Sequence, residues 1–165
     1  MKRKIAFKTL VLFSGILFTR PSIIFSQSDA AVKNWIDSGQ YVFVAQQAIP
    51  MYGRTIFLTS EYHLIVSADS LIAYLPYYGK AYRAPLDPSE GGIKFVSLKF
   101  DHSVSKARKN GWDITMTTKY LSDNYRLSLE ISSGGRGTLQ VNNTFRQPIT
   151  FIGYLKEKPK PNKAF

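Results

Sequence analysis

The sequence predicts a mainly β, single-domain protein: an antiparallel meander of about eight strands, curling into a barrel-like or strongly twisted sheet, with one short N-terminal helix. Three observations carry this reading. Apolar and polar residues alternate with period two at 112–117 and 125–131, the pattern of a sheet with one buried and one wet face. The apolar runs are separated by short turns rich in Gly, Asn and Pro, which suit neighbouring antiparallel strands, whereas parallel pairing needs a longer crossover. A chain of 165 residues with 44% hydrophobic and 14% aromatic content fits one globular core and excludes a disordered or collagen-like polymer.

The elements follow in order. Residues 1–26 read as a secretory signal: Lys2, Arg3, Lys4 and Lys8 precede the apolar run 10–18. Arg20-Pro21 then interrupts that run, short of the about 20 residues an ordinary membrane span requires. Cleavage after Ser26 or after Ala30 fits the small residues there, and an uncleaved anchor extended by Ile23, Ile24 and Phe25 is the alternative. The expected location is outside the cytoplasm, periplasmic or extracellular, with no transmembrane span once the signal is removed. Residues 28–39 read as an amphipathic helix, with Val32, Trp35 and Ile36 on one face and Gly39 as its stop. Strand patterns follow at 41–48, 56–59, 62–67 and 71–75, and again at 93–100 with a possible extension to Val104. Asn110-Gly111 is a hairpin-turn signal. It leads to 112–117 and 125–131, then through Ser133-Gly134-Gly135 to 137–141, and finally to 148–155. The domain is therefore placed at 27–155, with 156–165 as a basic, Pro-broken flexible tail that carries no core pattern.

The formal net charge of +11 raises nucleic acid as a partner, and its distribution argues against one. Residues 1–26 hold five cations and no acid, and the last ten hold four cations against Glu157. Residues 27–155 carry 13 cations and 10 acids, a body of only +3. The run Lys106, Arg108, Lys109 is a basic turn tip. No cysteine occurs, which excludes disulfides, thiolate metal sites, a cysteine nucleophile and a cysteine-borne lipid anchor.

Aromatic clustering is the strongest local signal. Tyr74, Tyr77, Tyr78 and Tyr82 place four of the ten tyrosines within nine residues. Tyrosine offers a flat apolar face and a polar tip, suited to recognising glycans, aromatic groups or protein surfaces. Lys80 and Arg83 add anion or cation–π contacts. The alternative is a loop whose rings plug the end of the sheet. Tyr77, Tyr78, Tyr82, Arg83 and Trp112 are the candidate ligand contacts.

The segments LPYYG (75–79), FVAQQAIP (43–50), GGIKF (91–95) and TFRQPITFIGYL (144–155) together resemble a Bacteroidetes exported family known as domain of unknown function 4251. The resemblance covers roughly residues 40–155 and implies a small exported protein of one domain. Some members are lipid-anchored, and this chain departs from them in having no cysteine. The resemblance implies no activity.

No catalytic motif stands out. His63 and His102 lack a paired metal-ligand spacing and a nucleophile elbow. Ser103-Val104-Ser105-Lys106 and Ser122-Asp123-Asn124 match fragments of the penicillin-binding pattern, but Ser103 ends a strand instead of opening a helix, and the K-T-G partner is missing. Gly134-Gly135-Arg136-Gly137 joins two strands and is no phosphate loop. Asp87 and Glu90 are the acids nearest the tyrosine segment. Neither a cofactor nor a metal is expected. The function expected is that of a non-catalytic envelope protein binding a small amphiphile or glycan. The alternative is a structural or protein-interaction module docking through the Tyr-rich loop or a sheet edge.

Overall fold

The computed structural model describes residues 29–82, 91–119, 121 and 123–159. The expected signal segment, Arg83 and the last six residues of the expected tail lie outside them. The chain opens with helix α1 (Asp29–Ser38), which buries Val32 and Ile36 and packs Trp35 against the core. Gly39 ends it with φ at +63°, the left-handed conformation that glycine adopts without a side-chain clash. The Gly39 N–H donates to the Ile36 carbonyl and the Gln40 N–H to the Trp35 carbonyl, the paired bonds of a Schellman stop.

Nine strands follow among the described residues: β1 (Tyr41–Pro50), β2 (Ile56–Val66), β3 (Leu71–Leu75), β4 (Ile93–Ser97), β5 (Phe100–Lys106), β6 (Trp112–Thr118), β7 (Tyr125–Ile131), β8 (Arg136–Asn143) and β9 (Arg146–Glu157). All neighbours are antiparallel, in the order β4-β3-β2-β1-β9-β8-β7-β6-β5. Eight antiparallel steps separate the edge strands β4 and β5, so these two run in the same direction. They are also consecutive in the chain, joined by Leu98 and Lys99 alone. A flat sheet of this width would hold its edges about 38 Å apart, whereas three Cα steps reach about 11 Å. The sheet must therefore roll until its edges meet, and it forms a nearly closed, barrel-like structure. Residues 93–106 act as one bent strand whose first half pairs with β3 and whose second half pairs with β6. The expected single strand at 93–100 is thus divided at the bend.

Two further details differ from the sequence reading. The segments 56–59 and 62–67 belong to the single strand β2, which carries a large bulge: Tyr62 pairs with Ala45 and Phe57 with Gln47, so four residues of β2 stand opposite one of β1. Asn110-Gly111 does not form a two-residue hairpin turn. Arg108–Asn110 is a 3₁₀ turn, Asn110 takes the left-handed conformation at φ +59°, and Ala107 closes the loop by donating to the Gly111 carbonyl at 3.0 Å. The last strand also runs past Leu155: Lys156 pairs with Val42 and Glu157 with Tyr41.

The inward-facing residues make one continuous cluster that includes Phe43, Leu64, Leu75, Met116, Leu127 and Phe151, each at most 1% exposed. Phe43 owes its space to two facing glycines, Gly137 and Gly153, whose missing side chains leave room for its ring. Phe95 of β4 stacks on Tyr125 of β7 with ring centroids 4.7 Å apart, spanning the gap on one side of the bend. On the other side, the end of α1 lies beside His102 and Val104 of β5. Tyr41, fully buried, holds its hydroxyl 3.5 Å from Nε2 of His102, and burial pushes its phenol above the ordinary range.

Two outcomes test this packing. A methyl group added at Gly153 would run into the Val44 carbonyl and the Phe43 ring. Gly153→Ala is therefore expected to lower unfolding stability by about 1–3 kcal/mol, while Gly134→Ala, in an open turn, changes it by less than about 0.5 kcal/mol. Denaturant unfolding of both variants measures the difference. Although His102 keeps part of its surface open to solvent, desolvation on the side facing Tyr41 holds its imidazole below the usual value of 6.5. As pH falls through 6.5 the unfolded chain takes up this proton first, so stability is lost on acidification until the folded group also protonates. The fall in melting temperature between pH 7.5 and pH 5 should be smaller in His102→Gln than in the parent protein, and equal falls would count against this assignment.

Candidate functional site

Of the five residues singled out from the sequence, the four that are described, Tyr77, Tyr78, Tyr82 and Trp112, are not brought together. The loop after β3 folds onto the β8–β9 turn. The Tyr82 N–H donates to the Phe145 carbonyl at 2.7 Å, and Lys80 and Gln147 exchange bonds at 3.0 and 3.2 Å. Tyr77 points into this junction, where its hydroxyl donates to the carbonyls of Lys80 at 2.8 Å and Gln147 at 3.1 Å. The Arg146 guanidinium lies 5.2 Å from the Tyr77 ring centre and donates to the Gly92 carbonyl at 2.7 Å. Enclosure raises the Tyr77 phenol above its ordinary value, opposed by the Gln147 bond and by Arg146. Tyr77 is therefore an end plug. Tyr78 and Tyr82 are exposed beside it, and Arg83 lies outside the described residues.

Trp112 stands at the other end of the sheet. It opens β6 and pairs with Ile131 at the end of β7, whereas the tyrosine loop adjoins the turn next to the start of β7. The length of β7, about 20 Å, separates the two places. Trp112 is half-buried and lines two adjoining open grooves. One, of about 460 Å³, runs over the outer ends of β6, β7 and β8 and is bordered by Arg108, Asp113, Glu130, Arg136 and Thr138. The other, of about 350 Å³, lies between the first turn of α1 and the β5–β6 loop, with Asp29, Lys33, Lys106 and Ser133 at its rim. Lys33 is paired with Asp37 of the same helix. Gly111 permits the loop to pass this closely, since a side chain there would meet the Ile131 carbonyl at 2.6 Å. A flat indole edged by cations, carboxylates and hydroxyls can stack on an apolar ring face while its surroundings bond polar substituents.

Neither histidine joins this site. His63 lies on the outer face with its ring centroid 5.8 Å from that of Tyr74, and His102 faces Tyr41. Among the described residues no group of three or more His, Asp or Glu side chains is placed to hold a metal ion. No helix among them is long and apolar enough to cross a membrane.

Sequence reasoning missed the outer face of β4-β3-β2-β1-β9. Pairing aligns Lys94, Tyr74, His63, Val44, Tyr154 and Arg136 in one outward row, and Val96, Ile72, Ile65, Val42 and Lys156 in the next. The signal was present in the near-continuous apolar runs of β1, β2 and β3, which lack the polar alternation of β6 and β7.

Comparison with known proteins adds a family and a fold. The model of a family described as Domain of unknown function (DUF4251) matches residues 26–155. A crystal structure of a DUF4251 family protein from Bacteroides eggerthii DSM 20697 is similar to this chain at 18% identity and a TM-score of 0.61. The match covers 80% of this chain and 89% of that one. No curated protein matches significantly.

Proposed function

The chain belongs to the DUF4251 family, a domain of unknown function, and on that premise we propose that it is an exported, non-catalytic binding module that takes a glycan at Trp112. The observation that carries the reading is the half-buried indole standing between two open, polar-edged grooves. A small amphiphile is held best in an enclosed apolar cavity. Here the inward side chains fill the sheet, and the prominent clefts are open surface grooves. An open groove admits a chain that continues at both ends, and saccharide units combine an apolar ring face with a hydroxyl rim. Arg108, Arg136, Asp113 and Glu130 in one groove and Lys106 in the other supply donors and acceptors for that rim. The basic and apolar pattern of residues 1–26 supports export, and the absence of cysteine supports release without a lipid anchor on that residue.

The reading is tested with the secreted protein on an immobilised glycan panel, followed by titration of the best-binding oligosaccharide. Trp112→Ala is expected to weaken binding at least tenfold, about 1.4 kcal/mol. Arg136→Ala, which leaves the indole in place, should weaken it severalfold. Tyr78→Ala and Tyr82→Ala should leave it unchanged. Loss of binding in the tyrosine variants with retention in Trp112→Ala would move the site to the opposite end of the sheet.

A further inference from the structure

The outer surface of the sheet is divided into two halves of opposite character. On β6, β7 and β8 the outward positions are Asp113, Thr115, Thr117, Arg126, Ser128, Glu130, Thr138, Gln140 and Asn142, all polar. On β4, β3, β2, β1 and β9 the two outward rows hold apolar or aromatic residues in their middle and cations at their ends. Lys94 and Arg136 end one row and Lys156 ends the other, and neither row contains a carboxylate. Glu61, on the β2 bulge, lies 4.0 Å from Lys156 and is mostly exposed. Val96 is 58% exposed, Tyr74 is 42% exposed, and Leu98, at the bend beyond Val96, is 74% exposed, whereas Val42 and Val44 of β1 are buried, so the open part of the face lies on β4, β3 and the bend. The Lys94 ammonium lies 5.3 Å from the centre of the Tyr74 ring, so its charge stands over the apolar surface.

From this arrangement we propose that the outer face of β4 and β3, together with the bend at Leu98, seats on an anionic lipid surface. Arg136 borders both this face and the Trp112 groove, but the inference rests on Lys94, Tyr74, Val96 and Leu98, which line neither groove. Three features favour lipid over a protein partner. Cations at the margin of an apolar face, with Glu61 beside Lys156 as the one acid near them, complement anionic headgroups above acyl chains. Tyrosines such as Tyr74 and Tyr154 suit the boundary layer, with apolar rings and polar tips. The face is also the outside of a rolled sheet. Two such convex faces from two copies would touch along a strip, short of the area a stable dimer needs, whereas a lipid surface deforms around one. Val96 and Leu98 at the bend would enter first, with Lys94 beside them.

Co-sedimentation of the secreted protein with large unilamellar vesicles tests the proposal. Binding is expected with vesicles of phosphatidylcholine and phosphatidylglycerol at 70:30, weaker by at least about tenfold with phosphatidylcholine alone, and reduced as salt is raised. Leu98→Asp, in the link and outside the ladders, should reduce binding about tenfold or more, and Lys94→Glu should do the same with a smaller residual salt dependence. Arg126→Glu, on the polar half, should leave binding unchanged, and circular dichroism should show all three variants folded. Equal loss in Arg126→Glu would overturn the proposal by showing that general charge drives the binding. So would a failure of the parent protein to sediment with either vesicle. A concentration-dependent dimer abolished by Leu98→Asp, without vesicle binding, would assign the face to a second copy instead.

Discussion

The two-residue link at Leu98 and Lys99 constrains everything else in this structure. It ties together the two edges of a nine-stranded sheet, so the sheet cannot stay open. Rolling then fixes which side chains meet. Phe43 is brought over Gly137 and Gly153, Phe95 of β4 over Tyr125 of β7, and Tyr41 of β1 opposite His102 of β5. The bend also leaves β4 and β5 each without a ladder partner on one side. The Phe95–Tyr125 stack closes the opening beside β4, whereas β5 stays exposed, with the end of α1 flanking it across an open groove.

A filled interior leaves the rim and the outer surface as the accessible parts of the sheet. With Met116, Leu127, Leu139 and Phe151 fully enclosed, the inward face is committed to stability. The topology gives that outer surface two halves. The segments 41–45, 64–66 and 71–75 of β1, β2 and β3 are apolar on both faces, while β6, β7 and β8 are apolar only inward. Chain order sets the division: the first meander supplies one half, the last supplies the other, and β9 joins them by pairing with β1 and β8 together.

Much of the fold was legible because local patterns report local chemistry. The alternation at 112–117 and 125–131 gave β6 and β7, and Val32, Ile36 and Gly39 gave the helix and its stop. What stayed hidden was set by distant partners. Residues 93–106 read as one run, and only the exchange of partner from β3 to β6 divides it. The β2 bulge depends on its register with β1, which no window of β2 contains. Tyr77 and Tyr78 are neighbours of one type, yet one plugs a junction and the other is exposed, because Gln147 and Arg146 lie 70 residues away in the chain. Clustering of tyrosines identified a special segment but not its role, and it drew Trp112 into a group from which the sheet separates it.

The solid interior of the rolled sheet, with the proposed ligand sites confined to rim and outer surface, can be tested in solution. Chemical-shift mapping during titration with decanoate, an amphiphile of the size enclosed barrels accept, tests it most directly. The account predicts that the methyl signals of Leu64, Met116 and Leu127 stay in place while any shifts fall on outward residues. Saturable shifts of those inward methyl groups would show an accessible cavity and contradict the account.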